Sequence, residues 1–267
     1  MIISRDSRIE LAGGFQTVEI DAGQDLKIDL DIVDSGSLFF RIRNAGKIEI
    51  NGTVPEEKDV SILFWNDTNA SIETVESYEV KKQGSLNLAY GECNEADTQR
   101  RVQIDLTGRS AHADLSSASL VTGRKDYRMF AVNRAERTSA EIKNYAVVLK
   151  NGKLTIDAVG RIINGAVRSK SHQVSRALSF EEGQNTTILP ELLIDENDVE
   201  ASHAMSIGRV DEDQLYYMMS RGLDMKECTM LISLGYLLPV TDIIADEEMR
   251  KALREELERK ITELCLM

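Results

Sequence analysis

Apolar and polar residues alternate with a period of two over roughly the first 200 positions of the chain. Leu26, Ile28, Leu30 and Ile32 are separated by Lys27, Asp29 and Asp31. Phe40 and Ile42 follow, then Ile48 and Ile50 around Glu49, Ile62 and Phe64, and Leu86 and Leu88. Val102, Ile104 and Leu106 alternate with Arg101, Gln103 and Asp105. This period predicts short strands that bury one face and leave the other wet. Turn-forming residues punctuate the runs: Asp34-Ser35-Gly36, Asn44-Ala45-Gly46, Asn51-Gly52, Gly108, Gly123, Asn151-Gly152, Asn164-Gly165 and Glu182-Gly183. No long helical pattern intervenes to supply the crossovers that parallel strands ordinarily need. An antiparallel sandwich, a barrel and a β-solenoid remain. The unbroken strand-and-turn rhythm favours the solenoid, whose coils bury their inward faces by stacking on their neighbours. No fixed repeat length settles the choice. Asn51-Gly52 and Asn151-Gly152 also read as hairpin turns, which keeps the sandwich open.

After Gly208 the pattern becomes helical. Asp211 through Gln214 reads as an N-cap with its capping-box partner, and Leu215, Met218 and Met219 share a face up to Gly222, a left-handed stop. Asp224 with Glu227 three residues on starts a second helix. Its stripe is Met225, Cys228, Leu231, Ile232 and Tyr236, ended by Pro239. A third segment begins near Thr241 or Asp242 with a ladder of Met249, Leu253, Leu257 and Ile261, extended by Leu264.

Composition changes the picture by exclusion. The 267 residues are 42% hydrophobic and 29% charged, which is ordinary globular usage and rules out collagen-like, disordered and disulfide-rich scaffolds. A net charge of −13 repels phosphate backbones and anionic lipid, so neither nucleic acid nor membrane is an expected partner. No apolar run reaches the length of a membrane helix and Met1 to Asp6 lacks a signal-peptide layout, so the expected location is the cytoplasm. Cys93, Cys228 and Cys265 form an odd, scattered set and read as reduced core or surface thiols.

Signatures of catalysis are missing. The chain has no GxxxxGK[ST] phosphate loop, no GxSxG elbow and no HExxH pair. A solenoid lined with acids suggests a carbohydrate-active enzyme, which needs two carboxylates at a set separation in a groove. Asp195, Glu196, Asp198 and Glu200 crowd together, but a solvated acidic turn explains them, and one tryptophan (Trp65) with 5% aromatics leaves little to stack on sugars. His112 and His172 read as hydrogen-bonded surface or coil-edge residues. His203 stands out because it lies just before the switch from strands to helices.

From Asp198 the chain reads DVEASHAMSIGRVDEDQLYYMMSRG through Gly222. This stretch resembles the C-terminal signature of the SufB/SufD family, the scaffold subunits of the SUF iron–sulfur cluster assembly machine. The family pattern there is roughly D-V-x-x-S-H, small residues, then G-x-[IVL]-D-E-[DE]-x-L-[FY]-Y-L-x-S-R-G. Upstream, Gly160 to Ile163 with Gly165, Ala166 and Gln173 is similar to a family coil, as are Arg137-Thr138-Ser139 and Gly108 through Leu120. The likeness spans about residues 85 to 240 and is strongest from 198 to 222. The Ser202-His203 form, and the absence of a cysteine between Cys93 and Cys228, look more like SufD than SufB.

The resemblance implies a right-handed parallel β-helix over residues 1–208 and a small C-terminal helical domain over 209–267. It implies a non-catalytic scaffold that docks a SufC-type ABC ATPase and pairs with a SufB-like scaffold, or with itself as a homodimer. A transient iron–sulfur cluster would form at the interface, with no tightly bound cofactor and with ATP only on the ATPase. His203 matches the family histidine of that interface and is the candidate metal ligand. Leu215, Tyr216, Arg221 and Gly222 match the signature next to the ATPase-docking surface, with Leu231 and Tyr236 as further docking candidates. The sequence also departs from the family. Strand-like sequence begins almost at Met1, where the family carries a helical domain. The H-x-x-P-x-T segment reads Asn133 through Thr138 without its His and Pro, and Ala204 replaces a glycine. These departures bear on flavin binding and complex geometry, not on the core fold. A stand-alone interaction protein is the remaining alternative.

Overall fold

Strand β3 (Leu26–Asn44) is the line along which one continuous sheet folds into two faces. Its first half pairs with β4 (Lys47–Val54) and its second half with β5 (Asp59–Asn66). From there the chain alternates between the faces. One face carries β4, then β6 (Ile72–Val80), β8 (Thr98–Leu106), β10 (Arg124–Asn133), β12 (Lys153–Ile162) and β14 (Asn185–Ile194). The other carries β5, then β7 (Ser85–Glu92), β9 (His112–Val121), β11 (Ser139–Val148), β13 (Lys170–Ser179) and β15 (Glu200–Arg209). Ahead of them β2 (Ser7–Asp21) runs along the whole of β3, and β1 (Ile2–Ile3) pairs with β2. The computed structural model describes residues 1–179, 185–243 and 246–265, with side chains to 263. The Glu182-Gly183 turn signal and the side chains of Leu264 and Cys265 lie outside the described residues.

Every described ladder is parallel, so the protein is mainly β, a parallel β-solenoid followed by helices. Consecutive strands lie on opposite faces and need only a short corner, while the parallel neighbour is supplied by the next coil. The hairpin reading of Asn51-Gly52 is therefore corrected. Both residues lie inside β4, paired on each side, and a side chain at position 52 would stand 3.2 Å from the Tyr78 ring. Glycine marks a close approach there and not a turn. Asn151-Gly152 does turn the chain, with Asn151 at φ +65°, but it joins opposite faces.

The corner from the first face to the second is built the same way in five successive coils. Glu57, Gln83, Ser110, Arg137 and Arg168 all adopt left-handed backbone, φ between 54° and 60°. The first four donate their N–H to the carbonyl just ahead of the next member: Glu57 to Lys82 at 3.0 Å, Gln83 to Arg109 at 3.0 Å, Ser110 to Glu136 at 3.0 Å and Arg137 to Val167 at 2.9 Å, and Arg168 donates to the Asp198 carbonyl at 2.5 Å. Backbone groups left over at a bend are thus paired coil to coil.

The alternating residues point inward as the period predicts. Leu26, Ile28, Ile48, Ile62, Leu88 and Ile104 are all buried. Phe40, Phe64 and Tyr90 stack at 4.7 and 5.6 Å along the axis. Beyond them the interior turns polar. Arg100 is fully buried between Glu76 and Glu92, the latter at 2.5 Å, and lies over the Tyr90 ring at 3.8 Å. Burial alone would pull the Arg100 pKa down, but the two carboxylates hold it above its ordinary value. Lys125, also buried, donates to Asn94, the Ala96 carbonyl and Thr98.

The helices are α1 (Glu212–Ser220), α2 (Met225–Leu237) and α3 (Glu247–Cys265), with a 3-10 turn at Leu238–Ile243. Leu253, Leu257 and Ile261 of α3 pack on the outer side of the second face, against Phe39, Leu63, Trp65 and Ala89. Each such side chain contributes about 1.5–3 kcal/mol by burial. The predicted α2 stripe needs correcting. Cys228, Leu234 and Leu237 are buried, whereas Met225 and Leu231 stay exposed. The sheet meets α2 on one flank of a broad apolar band, and local spacing cannot say which flank. No helix among the described residues is long and apolar enough to cross a membrane.

Candidate functional site

Among the described residues, the last coil leaves its inward row exposed. Strands β14 and β15 each pair on one side only, so both present a free edge. All residues of β15 are exposed, including those on its inward row. Met205 (52% exposed) continues the row of Phe64, Tyr90, Ser117, Asn144 and Ser175, and Ile207 (46%) continues that of Ala146 and Ala177. Strand β14 adds Leu189 and Leu193 on its outer side and Ile194 at its end, all exposed. A strand apolar on both sides is the pattern of one covered on both sides.

His203 belongs to this open row. Coil by coil the row reads Leu38, Ile62, Leu88, Leu115, Ile142, Gln173 and His203, in register across parallel ladders. It is apolar for most of its length and becomes polar in the last two coils. The ring is thus carried by the rigid stack beneath it and faces whatever closes the end. Sequence reasoning missed this surrounding row, because Gln173 and His203 break the apolar period they share in space.

The other chemistry-bearing residues go elsewhere. His112 stands 3.3 Å from Asp114, whose carboxylate raises its pKa, and His172 shares a 2.7 Å hydrogen bond with Ser202. Both match the coil-edge reading. Cys93 is buried, which pushes its thiol up to about 12, and Cys228 is buried on the covered side of α2. The acidic cluster is a turn tied to the coil below: Asp195 meets Arg161 at 3.2 Å, Asp198 meets Arg168 at 3.4 Å and Glu200 meets Lys170 at 2.9 Å. Glu196 accepts the Gly165 and Asn197 N–H groups, which lower its pKa. Each of these acids is thus bonded within the turn or to the coil below. Among the described residues no three His, Cys, Asp or Glu side chains stand close enough to hold a metal.

The helical candidates form a second surface. Asp211 caps α1 through the Asp213 and Gln214 N–H groups, Gly222 ends it at φ +96°, and Asp224 with Glu227 closes a capping box on α2. Helix α1 buries no residue. Leu215 is half-buried, while Tyr216 (76% exposed), Tyr217, Met219 and Arg221 face solvent. Arg221 donates to the Tyr217 hydroxyl at 3.1 Å and lies over its ring. Leu231 and Tyr236 line a cavity of about 490 Å³ between α1, α2 and the end of the solenoid, with Leu178, Val210 and Met218. Tyr236 also meets Tyr145 edge-on at 6.4 Å. The exposed apolar residues Tyr217, Met219 and Met225 extend this surface. The helical spacing marks Met219 and Met225 as apolar-face residues, without showing that they stay exposed.

Comparison with known proteins places this geometry. The family model described as the SUF system FeS cluster assembly, SufBD core domain, matches residues 58–236. The iron–sulfur cluster assembly protein SufD of Bacillus subtilis (strain 168) is 32% identical over 184 residues, 67% of this chain and 42% of that protein. SufB of the same organism is 23% identical over 201 residues, 73% of this chain and 40% of that protein. A SufBD family protein of Staphylococcus aureus (strain USA300) is 23% identical over 206 residues, 75% of this chain and 44% of that one. The chain thus spans about two fifths of the length of these relatives. With the family domain covering most of the solenoid and the start of its helices, the chain belongs to the SufB/SufD family of iron–sulfur cluster assembly proteins and is more similar to SufD than to SufB.

Proposed function

We propose that this chain is a non-catalytic scaffold subunit of SUF iron–sulfur cluster assembly. It pairs end to end with a second SufB/SufD-type scaffold through β14 and β15, and it docks a SufC-type ABC ATPase on α1 and α2. The observation that carries the reading is the last coil, whose inward row, His203 included, lies exposed between two free strand edges. Parallel-coil edges are templates for another chain, and a partner's strands would cover Met205 and Ile207. His203 then supplies one neutral nitrogen to iron at the junction, and the remaining ligands come from the partner. Iron and sulfide are cargo here. No phosphate loop exists in this chain, so nucleotide stays on the ATPase.

The helices suit a transmission role. Helix α3 is fixed to the first coils, whereas α1 touches the rest of the protein lightly and exposes its aromatic side. Closure of the ATPase would move α1 and α2 against this anchor and reach the last coil through Val210, which packs at the wall of the intervening cavity.

The test is anaerobic co-purification with a SufC-type ATPase and a SufB-type scaffold, followed by iron and acid-labile sulfide determination. A three-component complex is expected. In it His203→Ala keeps the complex and lowers cluster content, and Tyr216→Asp releases the ATPase. Gel filtration with the ATPase alone separates the homodimeric arrangement from the mixed one. Full cluster content with His203→Ala would remove the histidine from the mechanism, and failure of the ATPase to bind would remove the docking surface.

A further inference from the structure

We infer that Gln173 positions His203: its side-chain carbonyl accepts the imidazole N–H and so turns the other ring nitrogen, with its lone pair, toward the open end of the solenoid. The inference rests on the reading of His203 given above.

Gln173 is 2% exposed, and its two amide ends are treated differently. Nε2 donates to the Glu191 carbonyl on β14 at 2.9 Å, across the interior of the coil. Oε1 is buried and has no partner among the described residues. The acceptor at Glu191 requires the NH₂ end, so chemistry fixes the amide orientation and leaves an acceptor unused. Buried acceptors without partners are uncommon and call for a reason. Gly160 keeps the path clear, because a side chain there would press on the Ser171 hydroxyl and stand 2.9 Å from Gln173 Nε2.

Its neighbours along the row are Ile142 and His203. Ile142 has no donor. His203 lies one strand away, about 4.8 Å, on the same inward side. A neutral imidazole has one N–H and one lone pair, and the hydrogen bond made by one nitrogen decides which nitrogen is free for a metal. Rotation of the ring about its own side-chain torsions brings the N–H onto Oε1.

The test uses the full chain with ¹⁵N-labelled histidine at alkaline pH, where long-range ¹H–¹⁵N correlation reads the tautomer of each ring. His203→Ala identifies the third signal. Gln173→Leu is expected to change the His203 tautomer ratio about fivefold, the factor that one ordinary net hydrogen bond corresponds to, without moving His112 or His172. Gln173→Glu keeps an acceptor at the same atom and should retain the native tautomer. Circular dichroism of both variants confirms the fold. An unchanged ratio in Gln173→Leu, or equal changes in both variants, would overturn the inference. If cluster content then still falls in His203→Ala, the reading of His203 survives alone. If it does not fall, that reading fails whatever the tautomer shows.

Discussion

Trp65 donates its indole N–H to Glu256 at 3.0 Å, joining residues 191 positions apart. The same carboxylate accepts from Arg41 at 2.9 Å, and Arg41 and Lys260 both reach Asp67. This half-buried knot holds α3 on the first coils. Glu256→Ala leaves the indole N–H and the Arg41 guanidinium short of a partner and should cost about 1–3 kcal/mol. Urea unfolding monitored by the fluorescence of Trp65, the single tryptophan, would read it.

Acid should loosen the same knot. Burial pushes the Asp67 pKa up, but Lys260 and Arg41 outweigh it and hold it below the ordinary carboxylate value. A depressed folded-state pKa contributes stability that is complete above the unfolded value, about 3.9, and is lost as pH falls through the folded one. Asp67→Asn should therefore flatten the acid limb of the stability curve below about pH 4 and leave the neutral region's slope unchanged. A melting series across pH would show this. An acid limb equally steep in the variant would mean that other carboxylates govern it.

Removing one partner of the buried charge cluster should be severe. Arg100→Met strands Glu76 and Glu92 in the interior, and the expected loss is about 3–5 kcal/mol. Replacing all three with apolar residues of similar volume should restore much of it, because the charges themselves are costly to bury. Thermal melts of the single and triple variants decide the point.

The left-handed corner offers a gain. Ser110 adopts φ +60° and is exposed. Ser110→Gly relieves the side-chain clash of that conformation, partly offset by a more flexible unfolded chain, for a net gain of about 0.5–1 kcal/mol. A shift of the denaturation midpoint would measure it.

Gly91→Ala should do the opposite. A methyl group at that position stands 2.5 Å from the Trp65 ring, which is itself pinned between β7 and α3. Overpacking of this kind costs about 1–3 kcal/mol. Near-ultraviolet circular dichroism of the indole would report the displacement alongside the melt.

The strands were legible because Leu26, Ile28 and their counterparts obey a period that only one buried face can satisfy. The coil length was not. Its markers are Glu57, Gln83, Ser110, Arg137 and Arg168, of which only the serine is a common turn residue, spaced from 26 to 31 residues apart. Helix caps were visible at Asp211 and Asp224 because capping is local. The buried face of α2 depends on a sheet far away in sequence, so the local spacing puts Leu231 in the stripe although it faces solvent. His203 drew attention through its position and a family likeness, but its setting came only from strand register, which joins Ile142, Gln173 and His203 across 61 residues of chain.

The two ends of the stack are unlike. At the start, Ile9, Leu11, Val18 and Ile20 are all covered, whereas at the finish Met205 and Ile207 are bare. On the proposed pairing through β14 and β15, a rod that joins by this one tip cannot polymerise by it. Once two such tips meet, each is spent, and growth halts at a closed couple instead of running on into a fibre.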